Sequence, residues 1–143
     1  MKILSDQIKQ YKTQLINEEK TKAMTLCGGR GYVIRWNDLT GSDEHRFNDV
    51  IEACYNKANF GGTGFDADIY GNMLYCSEDD SMEVDSSGRN VRVFDNRFEQ
   101  YHNGISVAPI VMGPVYLFRN LVVNAGDSQN VSTYVRTLIY KTV

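Results

Sequence analysis

The chain has 143 residues, 42% of them hydrophobic, and a formal net charge of −3. This length predicts a single domain, and the apolar content is enough for a core and too high for a disordered chain. The charge is unevenly distributed, with a net +4 over residues 1–37, −10 over 38–85 and +3 over 86–143. Binding to nucleic acid needs a continuous basic surface, so we expect no nucleic-acid partner.

The sequence contains no sign of a membrane span or a signal peptide. No apolar run approaches the roughly 20 residues that cross a bilayer, and the N-terminus is polar. We expect no membrane association. The sequence does not determine the cellular compartment, which is extracellular if the chain is a fragment of a secreted parent. The spacings of Cys27, Cys54 and Cys76 match no zinc motif, and we interpret the three as buried free thiols.

The chain begins with a predicted amphipathic helix within residues 1–23. Its apolar residues recur in steps of four and three: Leu4, Ile8, Tyr11 and Leu15. The remainder, 24–143, has no helical period. Short alternating runs rich in Val, Ile, Tyr and Phe, separated by Gly, Asn and Asp, are typical there of strands and turns.

The strand-like part of the sequence repeats. Four segments align on asparagines that are 35, 24 and 24 residues apart: Asn37, Asn72, Asn96 and Asn120. In every segment the residues five and three positions before the Asn and two positions after it are apolar or aromatic. A unit of 24 residues is too short for a βαβ unit but suits one coil of a parallel β-helix. The competing interpretation is an antiparallel sandwich, which does not require a fixed spacing of 24 residues between equivalent positions.

These repeats resemble right-handed parallel β-helix proteins of the pectate-lyase-like superfamily. The resemblance covers about residues 24–124 and is carried by four segments: Glu78 to Asp85, Asn90 to Asn96, Asn103 to Pro109 and Gly113 to Asn120. It implies an all-β fold, a short right-handed parallel β-helix of about four coils within 24–143. We expect the helix within 1–23 to cap one open end.

The resemblance also implies a function, a carbohydrate-active domain that binds and cleaves a polysaccharide as a glycoside hydrolase or a calcium-dependent lyase. Asp79 and Asp80 are similar to the adjacent aspartates of polygalacturonase-type hydrolases. The other signatures of those enzymes, and the Arg-rich signature of pectate lyases, are absent from the chain. Only these two aspartates therefore carry over.

A second, weaker repeat predicts where acidic side chains stack on neighbouring coils. It aligns Asp49 with Asp80 and Asn103, and Glu52 with Glu83 and Ser106. If Met82 faces the core, Glu83 and Asp85 on the same strand face outward. Carboxylates on adjacent strands lie roughly 4.8 Å apart, so one of them takes up a proton, binds a cation or turns into water.

Three hypotheses follow for the acids. The first is a catalytic set made of Asp79, Asp80 and Glu83. The second is a calcium site, which makes calcium the candidate cofactor; its ligands would be Asp49, Glu52, Asp80, Glu83 and Asp85. The third is a solvated acidic face with no chemistry.

Four further residues are predicted to bind the polysaccharide. Tyr70 and Phe94 belong to an outward column of aromatic residues that can stack on sugar rings, unless another segment covers them. His45 lies in an insertion of the first coil, and loops on a rigid scaffold often carry binding residues. Arg92, or His45, would take the proton in a β-elimination.

The alternative function is a non-catalytic structural or adhesin-type fragment. Open coil ends expose unpaired strand edges. We therefore expect a homo-oligomer that forms through those ends or through the N-terminal helix.

Overall fold

The computed structural model describes residues 22–42, 44–55, 62–99, 102–107, 109–125 and 139–140. The predicted N-terminal helix lies outside these residues. The described part contains strands and turns without a helix, and so no helix there could cross a membrane.

The described part of the chain forms thirteen short strands. In chain order they are β1 Met24–Leu26, β2 Val33–Arg35, β3 Asp38–Thr40, β4 Ile51–Ala53, β5 Asp68–Tyr70, β6 Met73–Tyr75, β7 Asp80–Glu83, β8 Val91–Phe94, β9 Arg97–Glu99, β10 Asn103–Ser106, β11 Val115–Phe118, β12 Leu121–Val123 and β13 Ile139–Tyr140.

The strands build three parallel sheets, each of which takes one strand from every coil. We call β1-β4-β7-β10-β13 the acidic sheet, β2-β5-β8-β11 the aromatic sheet and β3-β6-β9-β12 the third sheet. All pairs between these strands are parallel. The prediction of an all-β parallel solenoid of about four coils is therefore confirmed.

The pairing register follows the asparagine alignment. Ile69 pairs with Ile34 on one side and Val93 on the other. In the third sheet Leu74 is paired in the same way with Leu39 and Phe98. The repeat therefore predicted the register strand by strand, because each aligned apolar residue points into the solenoid. The largest fully buried side chains include Phe98, Ile69, Leu74 and Met82.

Each asparagine follows a residue with left-handed backbone, at the corner between the aromatic and third sheets. The φ angles are 58° at Trp36, 66° at Gly71, 54° at Asp95 and 54° at Arg119. The residue before each Asn, and not the Asn itself, therefore makes the sharp turn of the backbone. Gly71 needs to be glycine for a second reason, since a Cβ there would lie 2.5 Å from the ring of Trp36.

The four asparagines form a continuous hydrogen-bonded ladder. The side-chain amide of Asn37 donates to Asn72 Oδ1 at 2.9 Å, and Asn72 donates to Asn96 Oδ1 at 2.9 Å. Asn96 donates in turn to Asn120 Oδ1 at 3.0 Å. Backbone N–H groups of the same residues donate to the same oxygens. The backbone N–H and the side-chain NH₂ of Asn37, Asn72 and Asn96 thus each have an acceptor at this corner, which is why Asn recurs there.

The interpretation of the three cysteines as free thiols is wrong for two of them. Cys27 and Cys54 form a disulfide, with Cα atoms 4.8 Å apart. They directly follow the paired strands β1 and β4, and so the parallel register brings them side by side. Cys76 is a buried free thiol, as predicted.

Candidate functional site

The acidic residues expected to face solvent are buried. The exposed fractions are 3% for Asp49, 7% for Asp80, 8% for Glu83 and 2% for Asp85. The expectation of an open acidic face is therefore wrong. The physical reason is that the carboxylates find donors within the solenoid. Asp80 N–H donates to Asp49 at 3.0 Å, Ala53 N–H to Glu83 at 3.2 Å, and the Ser106 hydroxyl to Asp85 at 3.1 Å.

Three carboxylates converge where β4 and β7 lie side by side. Asp49, Glu52 and Glu83 each offer an oxygen, and these oxygens all lie within 4.8 Å of one another. Asp80 joins them through its amide, which contacts Asp49. We call these four residues the acidic cluster. The weak repeat predicted this stacking, and β7 pairs with β4 in the expected register, Ile51 opposite Met82.

Burial changes the protonation of the cluster. The pKa of Glu83 is raised to about 8, first by burial and then by the charges of Asp49, Asp85 and Asp80. Burial and the charges of Asp79, Asp49 and Asp85 raise the pKa of Asp80 to about 7, with a hydrogen bond from Asn103 opposing them. Glu83 therefore carries a proton at neutral pH.

Asp49 differs from its two neighbours in its donors. Burial raises the pKa of Asp49 as well, but two hydrogen bonds oppose the rise, from the Asp80 amide and from Asn48. Asn48 Nδ2 donates to Asp49 Oδ2 at 2.6 Å. These donors favour the ionised form of Asp49 and so oppose the rise in its pKa.

The rim of the cluster holds a cation and a second group of polar side chains. Lys22 Nζ lies 2.6 Å from Glu52. Asp79 is exposed, and its Oδ1 lies 3.7 Å from His102 Nδ1 and 3.4 Å from Asn103 Nδ2. Asp79 is thus the predicted catalytic residue that solvent reaches most easily.

Two buried oxygens near the cluster, Asp80 Oδ1 and Asn103 Oδ1, accept no hydrogen bond from the described part of the chain.

The aromatic residues predicted to bind sugar form a stacked column on the aromatic sheet. The ring of Phe94 stacks on Tyr70 at 4.7 Å and on Phe118 at 4.9 Å, with interplanar angles of 10° and 2°. Trp36 meets Tyr70 edge-on at 5.7 Å. Because the rings cover each other's faces, the faces of Tyr70 and Phe94 are not available to a sugar.

The structure distributes the predicted site residues over different sheets. Arg92 lies on the aromatic sheet and is paired with Asp68, its Nε 2.5 Å from Oδ1. His45 is exposed in the turn before β4, where its backbone bonds Ser42. The acidic cluster lies on the acidic sheet. The structure thus brings the four acids of the cluster together but does not bring Tyr70, Phe94 or Arg92 to them.

Three contributors to the site were missed from the sequence. Asn103 continues the Asp49–Asp80 column onto β10, where it pairs with Asp80. Ser106 pairs with Glu83 and donates to Asp85. The weak repeat already aligned both, and their polar side chains at acidic positions were the available signal. No sequence feature pointed to Asn48, since it precedes the aligned segment.

The chain was compared with protein-family models, with curated proteins and with solved structures, and none of them matches it.

Proposed function

We propose that this parallel solenoid is a carbohydrate-active domain that binds a polysaccharide along its acidic sheet and hydrolyses it there. A right-handed coil and membership of the pectate-lyase-like superfamily are part of this proposal. The observation that carries it is that Asp49 and Glu83 offer oxygens within 4.8 Å of each other, while burial raises the pKa of Glu83 to about 8 and the Asp80 amide opposes the rise in the pKa of Asp49. Paired carboxyls with separated pKa values are the working groups of glycoside hydrolysis.

In this proposal the two groups have different roles. Glu83 is the general acid that protonates the glycosidic oxygen, since burial keeps its proton at neutral pH. Asp49 is the carboxylate that stabilises or attacks the sugar carbon. Their oxygens lie within 4.8 Å of each other, which is shorter than the ~6.5–9.5 Å of inverting enzymes and favours the retaining arrangement. Asp79, exposed at the rim, is positioned to contact the sugar first.

A calcium-dependent function is the second candidate, because one observation favours it. The oxygens of Asp49, Glu52 and Glu83 are close enough to ligate one cation, and carboxylates are preferred calcium ligands. Against it, the ammonium group of Lys22 lies on Glu52, and the proton on Glu83 lowers the negative charge. We therefore rank proton-based chemistry first.

The test is a panel of neutral and acidic polysaccharides incubated with the wild-type protein and with Glu83→Gln. We expect new reducing ends with a neutral polysaccharide, and a loss of at least about 100-fold in rate with the variant. Glu44→Gln, which changes an exposed acid in the loop before β4, is the matched control and should keep the full rate. An absorbance from unsaturated products would instead indicate elimination.

Calcium is tested on the same samples by thermal melting with added calcium and with a chelator. A rise in melting temperature that Glu83→Gln and Glu52→Gln both remove would favour the calcium site. Wild-type protein that neither binds nor cleaves any member of the panel, with no response to calcium, would contradict both functions.

A further inference from the structure

Trp36 is the most exposed large apolar residue in the described part of the chain, with 72% of its surface open to solvent. It lies at the corner between β2 and β3, and so between the aromatic and third sheets and not on the acidic sheet. Its backbone is left-handed, with a φ of 58°, a conformation that bulky residues rarely adopt. Neither burial nor backbone preference therefore explains a tryptophan at this corner.

The indole of Trp36 is held in one orientation against the next coil. A Cβ placed on Gly71 would lie 2.5 Å from both Cε3 and Cζ3 of the indole and 3.1 Å from Cδ2. The six-membered ring thus occupies the space that a side chain at Gly71 would fill. Tyr70 meets the indole edge-on, with ring centroids 5.7 Å apart and an interplanar angle of 80°. One face of the indole therefore rests on the protein, and the exposed surface belongs to the other.

Two polar groups lie beside the indole. Arg35 Nη1 donates to Tyr70 Oη at 2.9 Å, which holds the guanidinium next to the ring that Trp36 contacts. Arg35 itself is exposed. A guanidinium has several N–H groups and a phenol has an O–H of its own, so both Arg35 and Tyr70 can donate further hydrogen bonds.

We propose that Trp36 is a second sugar-binding site, where a neutral β-linked pyranose unit of a polysaccharide stacks on the open face of the indole while Arg35 and Tyr70 Oη donate to its hydroxyl groups. The inference rests on the proposed function for the class of ligand, a polysaccharide, and on no residue of the acidic cluster. Nothing in it requires the sugar bound at Trp36 to be cleaved.

The shape and polarity of such a sugar match this corner. A pyranose ring with equatorial hydroxyl groups has a flat face of axial C–H bonds, which is apolar, and a rim of oxygens, which accept hydrogen bonds. The indole offers a flat apolar surface, and Arg35 and Tyr70 offer donors beside it. A wholly apolar partner would leave those donors without acceptors, which costs free energy.

Trp36 can make the contact that the rings of the aromatic column cannot. Tyr70 and Phe94 stack face to face, and so their faces are covered. Trp36 stands outside this stack because it meets Tyr70 edge-on. Its orientation is already set by Gly71 and Tyr70, so a sugar that stacks there does not have to immobilise a free side chain.

The test uses the fluorescence of Trp36, which is the one tryptophan of the chain. The probes are cellohexaose and xylohexaose, β-linked neutral oligosaccharides of glucose and xylose. They are added to the wild-type protein and to Glu83→Gln, in which the proposed hydrolysis is blocked. We expect either sugar to shift the emission to shorter wavelength and to reduce quenching by acrylamide, in both proteins, because the sugar covers the open face.

Variants at the site separate stacking from other binding. Calorimetric titration with the same sugars should give a dissociation constant raised roughly tenfold or more by Trp36→Ala, and raised less by Trp36→Phe, which keeps a smaller ring. Arg35→Gln should weaken binding to a smaller extent than Trp36→Ala. Val33→Ala removes another exposed apolar side chain of β2 and is the matched control, with unchanged affinity expected.

Three results would overturn the proposal. The first is an emission that neither sugar changes at millimolar concentration, and the second is an affinity that Trp36→Ala leaves unchanged. The third is an emission shift that follows protein concentration without sugar, since another copy of the chain would then cover Trp36. Failure of the proposed function gives a different result: sugar shifts the emission, but wild-type protein cleaves no polysaccharide. Cleavage that Glu83→Gln abolishes, with no response of Trp36 to sugar, would leave the proposed function standing without the second site.

Discussion

The side-chain amide of Asn72 donates to Asn96 Oδ1 across 2.9 Å, although the two residues are 24 positions apart in the chain. Asn96 also donates to the carbonyl oxygens of Ile69 and Phe94. One buried amide therefore joins two coils and closes its own turn. Loss of a buried partner leaves donors and acceptors without hydrogen bonds, which costs ~1–3 kcal/mol for each group.

We expect Asn96→Ala to lower the free energy of unfolding by about 2–4 kcal/mol, measured by chemical denaturation. Asn37→Ala, at the half-buried end of the ladder, is the graded comparison and should cost roughly half as much. Equal losses at the two positions would indicate that the ladder does not stabilise the coils cooperatively.

The acidic cluster predicts an unusual dependence of stability on pH. Asp80 and Glu83 have pKa values raised to about 7 and 8 in the folded protein, above those of the unfolded chain. The folded state therefore binds more protons, and the contribution of these groups is complete below pH ~4 and lost as the pH rises through 7 and 8. We expect the melting temperature to fall steadily between pH 5 and pH 9, as the free energy of unfolding decreases by on the order of a few kcal/mol.

The exposed acids work in the opposite direction and at lower pH. The pKa of Asp95 is lowered by its hydrogen bond and ion pair with Arg119, so the stability that Asp95 contributes is lost only as the pH falls below the ordinary range of an aspartate.

A variant of the buried cluster tests this pH dependence. Asp80→Asn should flatten the stability profile between pH 5 and pH 9, because the amide cannot ionise. Asp38→Asn, an exposed control, should leave the profile unchanged. A wild-type profile that rises over this range would contradict the buried cluster.

The aromatic column predicts an energetic coupling between rings on successive coils. Stacked pairs contribute about 0.5–1.5 kcal/mol beyond the area that they bury. We expect a double-mutant cycle of Phe94→Leu and Phe118→Leu to give a coupling energy in that range, since the ring centroids are 4.9 Å apart. Tyr70 and Phe118 are not in direct contact, and the same cycle on that pair should give a smaller value. Additive effects for the adjacent pair would contradict the stacking.

The disulfide predicts a simple count of thiols. Denatured, unreduced protein should expose one reactive thiol, that of Cys76, and three after reduction. Reduction should also lower stability by about 2–4 kcal/mol, because the bond closes a loop of the unfolded chain. Three reactive thiols before reduction, in protein purified without reductant, would mean that Cys27 and Cys54 are not bonded.

Much of the fold could be predicted because a solenoid repeats its register. The spacing of Asn72 and Asn96 determines which residues of β5 and β8 pair, and the apolar positions beside each Asn determine which side faces the core. The disulfide could not be predicted from spacing alone. Cys27 and Cys54 come together because they directly follow Leu26 and Ala53, which are paired in the register of β1 and β4.

Only part of the acidic site could be predicted from the sequence, and the reason differs from that for the disulfide. The repeat alignment placed Glu52 beside Glu83, but alternation along a strand says only which side of the backbone a residue takes. It does not say whether that side meets water. The backbone amides of Asp80 and Ala53 draw Asp49 and Glu83 into the structure, and no pattern of residue types encodes such contacts.

The central claim, that burial raises the pKa values of the carboxyl groups between β4 and β7 so far that they hold protons near neutral pH, is tested most directly by carbon-13 NMR titration of the side-chain carboxyl groups. Asp80→Asn and Glu83→Gln would assign the two signals. The account predicts midpoints near pH 7 for Asp80 and near pH 8 for Glu83. Midpoints at the ordinary values, near pH ~4 for both residues, would contradict it.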